Sequence, residues 1–198
     1  MFIDFLTLML INMVSALVMY ALFMAFFFEK NQKVFIAGFL LVGAIALVTG
    51  FRMIFTWPLP GSYNIMYGES TVLLGAIFFV TGLAIQFGWD LRSIGIPAFF
   101  AGAGVVILGI RIWNMNLTSE PLVAGLGFVI AGLTAIGTFF ALWVPKWKIF
   151  RWLTALASIG TAVIFCIVVF PAYWGHIDSF KGWAPDSMLM RKPPAAAQ

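Results

Sequence analysis

Residues 43–57, GAIALVTGFRMIFTW, and residues 70–85, STVLLGAIFFVTGLAI, are two apolar segments separated by the polar stretch PLPGSYNIMYGE at 58–69. The stretch 102–111, GAGVVILGIR, reads against GAIALVTGFR at 43–52 with the same residue at Gly, Ala, the second Gly and Arg. After each Arg come a polar connection, an acid (Glu69, Glu120) and a further apolar segment with two glycines seven apart. A two-helix unit therefore occurs twice in tandem, as helices 2–3 and helices 4–5.

Composition sets the class. Of 198 residues 63% are hydrophobic and 9% charged, and the mean hydropathy is +1.07, well outside the range of soluble domains. A hydrocarbon layer of about 30 Å needs roughly 20 apolar residues per helix. Six such runs follow one another: Phe5–Phe28, Val34–Trp57, Thr71–Trp89, Ile94–Trp113, Leu122–Val144 and Trp152–Trp174. The runs are continuous and lack period-two alternation, which selects helices over a barrel. The predicted fold is all-α: a six-helix integral membrane bundle spanning 1–174, followed by a polar tail at 175–198 on the extracytoplasmic side. Helices 6 and 1 are expected to close the ring as a third, degenerate hairpin, giving a pseudo-threefold arrangement. The N-terminus carries Asp4 where a secretory leader would be positive, so the first run is read as a retained helix.

The net charge of +4 and pI near 9.5 do not make a nucleic-acid binder, because the cations are scattered among short connections. Lys30, Lys33, Arg92, Lys146, Lys148 and Arg151 all fall in or beside the odd connections. The even connections hold Glu69 and Glu120 and no Lys or Arg. The positive-inside rule then predicts cytoplasmic odd connections and both termini outside. Trp57, Trp89, Trp113, Trp143, Trp152 and Trp174 mark span ends, where an indole has one apolar and one polar side to satisfy.

Gly43 and Gly50, Gly75 and Gly82, Gly102 and Gly109, and Gly125 and Gly132 are each seven apart, close to two turns, so each pair shares a helix face. Close backbone approach is a main source of packing energy in lipid, and these glycines are expected to be helix contacts. Arg52, Glu69, Arg111 and Glu120 gather near the outer ends of helices 2 to 5. Charges of these signs complement helix macrodipoles, which is the structural account. Ionisable groups at membrane depth also mark functional sites, so these four, with Asn64, Tyr67, Tyr63 and Asn114, form a candidate polar-ligand site at the outer face.

Cys166 is the single cysteine, which leaves no disulfide or CxxC chemistry. His176 is the single histidine. It is a weak metal candidate, and bis-histidine haem is excluded within one chain. No catalytic motif is present, and no catalytic residue or cofactor is expected. Quinone or haem at the outer face is the alternative.

The segment WPLPGSYNIMYGESTVLLGAIFFVTGLAI at 57–85 resembles a family of small polytopic membrane proteins of bacteria and archaea known as domain of unknown function 981. The PLPGxYN turn and the GE opening the next helix carry the likeness. The resemblance implies a prokaryotic multi-helix membrane protein and brings no activity with it. The expected function is a non-catalytic integral subunit or small-molecule-binding module of a larger membrane assembly such as a respiratory complex. Its partners would be the bilayer and other membrane subunits or a second copy. The alternative is a small transporter or permease with an anion- or quinone-binding pocket at the outer face.

Overall fold

A computed structural model describes residues 6–183 and holds six long helices. They are α1 (Leu6–Leu22, continued by a π-helical turn Phe23–Phe27), α2 (Ile36–Thr56), α3 (Ser70–Phe87), α4 (Arg92–Met115), α5 (Pro121–Trp143) and α6 (Lys148–Ser179). A 3₁₀ turn, Gln32–Phe35, leads into α2, and a π-helical turn, Asn64–Glu69, leads into α3. With these turns included, all six are long and apolar enough to cross a membrane. The chain is an all-α integral membrane protein.

Two boundaries differ from those read in the sequence. The third span starts at Asn64 instead of Thr71, because Pro58, Pro60 and Gly61 confine the turn to a few residues and Asn64 closes it. The Asn64 side chain accepts from Leu59 N–H at 3.0 Å and donates to the carbonyls of Leu59 and Gly61. The sixth helix runs through Pro171 to Ser179, which puts His176 on its last turn. Asp4 and the KPPAAAQ end lie outside the described residues.

Packing is densest within the α2/α3 and α4/α5 hairpins, intermediate for α5/α6 and α6/α1, and thinnest across α1/α2 and α3/α4. Glycine explains the dense hairpins. A Cβ on Gly50 would meet Val72 Cγ2, Val72 N and Gly68 O, and one on Gly109 would meet Val129 Cγ2, Val129 N and Gly125 O. A Cβ on Gly43 would lie 2.5 Å from Phe79 N, and one on Gly102 2.9 Å from Ile136 N. The contacts recur at positions displaced by 59 residues on the first helix of the pair and by 57 on the second. The difference of two comes from the connections. α2 and α4 end in left-handed residues at Trp57 and Asn116, and the following helical stretches begin at Asn64 and Pro121. In this register Gly68 and Gly75 correspond to Gly125 and Gly132, one heptad earlier than the pairing suggested by Gly75 and Gly82.

α1 contains no glycine and is tied in by polar bonds instead. Asn12 Nδ2 donates to the Val42 carbonyl of α2 at 2.8 Å. The Tyr20 hydroxyl meets Thr138 Oγ1 of α5 at 2.6 Å, and Ser158 Oγ of α6 donates to the Leu17 carbonyl at 2.8 Å. Each is worth more here than at a wet surface, since an unbonded partner inside the bundle has no water to turn to.

The packing yields a direct test. Gly102→Ala places its methyl against the backbone of α5, where nothing flexible can yield, and should cost about 1–3 kcal/mol. Gly104→Ala on the same helix has nothing within 4 Å and should be neutral or slightly stabilising. Thermal unfolding in detergent compares the two.

Candidate functional site

A cavity of about 120 Å³ lies between the helices, walled mainly by α1, α3 and α5. Its size approaches that of dry protein voids of about 150 Å³ that accept a single aromatic ring. Phe23, Phe39 and Phe78 line it nearer the odd connections, with Phe23 and Phe39 edge-on at 5.3 Å and Phe39 and Phe78 tilted at 5.7 Å. Towards the other end Phe128 and Phe165 meet edge-on at 5.8 Å, and Tyr67 stands over Phe128 at 6.0 Å. Aromatic rings thus line the cavity towards both ends.

The walls are apolar apart from several neutral polar side chains, and none of the described residues that line them is charged. Four of the hydroxyls among them are bonded back to their own helices: Ser70 to Met66 O, Thr81 to Ile77 O, Thr134 to Ile130 O and Thr138 to Thr134 O. Small β-branched or hydroxylated residues on inward faces serve two purposes. They avoid filling the space, and they satisfy themselves within the helix without a neighbour. The Tyr20 hydroxyl, at the end of a long side chain, finds its partner on another helix.

The residues singled out from the sequence are placed as follows. Arg52, Glu69, Arg111, Glu120 and Asn114 are exposed, near the bundle end that carries the second and fourth connections. No ion pair joins either Arg to either Glu among the described residues, and Arg111 Nη2 instead rests on Met115 Sδ at 2.9 Å. Glu69 directly follows Gly68 inside the helical stretch, whereas Glu120 precedes α5, five residues before Gly125. The two acids therefore stand at different levels. Asn64 is fully buried and engaged with its own turn. Tyr63 and Tyr67 stack on each other with nearly parallel rings. His176 packs edge-on to Phe180 at 5.8 Å, and no three His, Cys, Asp or Glu side chains gather among the described residues. All eight glycines would bring a Cβ within 3.0 Å of a neighbouring helix.

Sequence reasoning missed Tyr20, Thr138 and Asn12. Their signal was present, since polar side chains inside apolar spans are costly unless bonded. It also read Arg151 only as a cytoplasmic cation. Arg151 is buried, with its side chain 8% exposed, and sits where α6 meets the π-helical turn after α1. Its Nε donates to Met24 O at 3.2 Å, and its Nη1 donates to Glu29 Oε1 at 2.6 Å. The guanidinium carbon lies 5.0 Å from the centre of the Phe28 ring. A π-turn disrupts the regular hydrogen-bond ladder, so a carbonyl such as Met24 O is available to an outside donor. Glu29 also faces Lys148 at 3.5 Å.

The Arg151 bond, then the positive charge of Lys148, hold the Glu29 carboxyl below the usual glutamate value. A depressed carboxyl stabilises the fold above its ordinary pKa, and that contribution is lost as pH falls through the lowered value. Thermal midpoints of wild type and Glu29→Gln should therefore differ near neutral pH and converge as the solution is acidified through the carboxylate range. The gap should be modest, since Glu29 is more than half exposed. Arg151→Leu should lower the midpoint further than Glu29→Gln, because it also strands the Met24 carbonyl.

No curated protein and no solved structure matches the chain. A family model described as Protein of unknown function (DUF981) matches residues 1–179. With nearly the whole of the helical region covered, the chain belongs to this family.

Proposed function

We propose that the protein is a non-catalytic integral subunit of a prokaryotic membrane assembly that holds a small, mostly apolar molecule in its interior cavity. The observation that carries this reading is the cavity itself. A ring of glycine-tightened helices could have filled its centre with Leu and Phe, yet Ala16, Ala98, Ala131 and Ala135 stand on its walls. A void costs stability in proportion to its volume, about 24 cal/mol per Å³, and an occupant would offset that cost.

The remaining parts of the reading rest on charge and pattern. Lys30, Lys33, Arg92, Lys146 and Lys148 cluster at the odd-connection end, which supports placing that end in the cytoplasm and both termini outside the cytoplasmic membrane. The matching glycine contacts of α2/α3 and α4/α5 support descent of both hairpins from one unit. The packing of α6 on α1, with α1, α3 and α5 all facing the cavity, supports a pseudo-threefold bundle in which α6 and α1 form the third hairpin. Exposed apolar side chains on every helix offer surface to lipid, to another subunit or to a second copy. An anion permease is the weaker reading, because none of the described residues lining the cavity is charged.

Purification from native membranes in mild detergent tests both halves. The expected result is a co-purifying membrane protein, together with a small apolar molecule recovered by organic extraction and absent from Ala16→Phe, whose new ring occupies the void. A lone monomer with an empty extract, indistinguishable from Ala16→Phe, would contradict the proposal.

A further inference from the structure

We infer that the outer face of the α1/α6 seam holds one anionic phospholipid, with an acyl chain in a furrow between the two helices and the phosphate at Lys148. This site is separate from the interior cavity and does not depend on its contents.

The furrow is a void of about 210 Å³ on the surface that the bundle turns to lipid. Its floor is set low by small side chains, Ala21 and Ala25 on one side and Ala155 on the other. Leu22 of α1 and Leu156 of α6 stand exposed along its two rims. A narrow trough with aliphatic and aromatic walls suits a flexible hydrocarbon chain.

Charge at one end selects the headgroup. Towards the odd connections Phe26 and Trp152 meet edge-on at 5.8 Å. Lys148 precedes Trp152 by four residues on the same face of α6, and Glu29 follows Phe26 by three residues. Glu29 is already held by Arg151 at 2.6 Å, while Lys148 Nζ stands off at 3.5 Å. Two cations thus share one carboxylate, and one positive charge is in excess beside the furrow. Lys148 is two-thirds exposed and its ammonium has three hydrogens to give. It also opens α6, whose first N–H groups have no side-chain cap, so the positive end of the helix lies at the same level.

A phosphate carrying one net negative charge answers both features, as basic sites between helices near a membrane surface do for anionic headgroups. A choline headgroup would bring its own cation against Lys148, and Glu29 has two cations already. A second copy of the chain seated across the furrow would set Lys148 against Lys148.

The test is native mass spectrometry of the full chain in detergent, titrated with dioleoyl phosphatidylglycerol or dioleoyl phosphatidylcholine. Wild type should retain its first phosphatidylglycerol at about fivefold lower concentration than its first phosphatidylcholine, the worth of one lysine at a membrane surface. Lys148→Gln should equalise the two lipids. Ala25→Leu, at a partly exposed position, should fill the furrow and weaken both lipids alike. If that variant does not fold, Leu156→Ala should weaken both by removing an exposed rim. Equal retention of the two lipids by wild type would overturn the inference, and so would a preference that survives in Lys148→Gln. Furrow variants that bind both lipids as wild type does, or a dimer that excludes lipid, would also overturn it. None of these results bears on the interior cavity.

Discussion

Backbone-to-backbone approach at glycine is the constraint on which the architecture depends. Between helices in lipid there is little hydrophobic drive, so association relies on contact area and on bonds that have no aqueous competitor. Within α2/α3 and α4/α5, Gly43, Gly50, Gly102 and Gly109 let one helix come so close that a single methyl would strike the partner's main chain. Each hairpin is thereby a rigid slab. The seams between slabs lack this device at α1/α2 and α3/α4, and there the packing is thin. The cavity lies among these pairs, walled mainly by α1, α3 and α5.

The helix that lacks glycine solves the same problem by other means. α1 touches α2, α5 and α6 through Asn12, Tyr20 and the carbonyl of Leu17, and its π-turn offers Met24 O to Arg151. Such bonds fix position and rotation more narrowly than apolar contact does, because each needs a short distance and a direction. α1 and its π-turn are thus tied by polar bonds to α2, α5 and α6, and α1 also contributes Tyr20 to the cavity. The structural and binding readings converge on one helix for that reason.

Much of the fold was legible in the sequence, and the reasons are physical. Hydropathy has to be continuous over the thickness of a bilayer, so six spans could be counted and their ends marked by tryptophan. Glycines seven apart announced a helix face. Which glycines oppose which was not legible, because a connection two residues shorter in α4/α5 shifts the partner by a heptad without altering the spacing. The same shift made Glu69 and Glu120 look equivalent when one lies within a helical stretch and the other before α5. The candidate outer site rested on charges that sequence places at the same end, and side-chain direction decides whether such charges meet. The cavity could not be read at all. It is a property of what six helices leave empty, and its markers, Ala16, Thr81, Thr134 and Thr138, look like ordinary small residues in an apolar run.

The central claim is that the middle of this bundle is open to an apolar guest, and xenon offers the most direct measurement. Crystals of the protein pressurised with xenon should show a xenon peak between α1, α3 and α5, within contact distance of Leu74 and Phe128, with the helices unmoved. A map with no such peak, in which the walls of α1, α3 and α5 meet across the centre, would contradict the account.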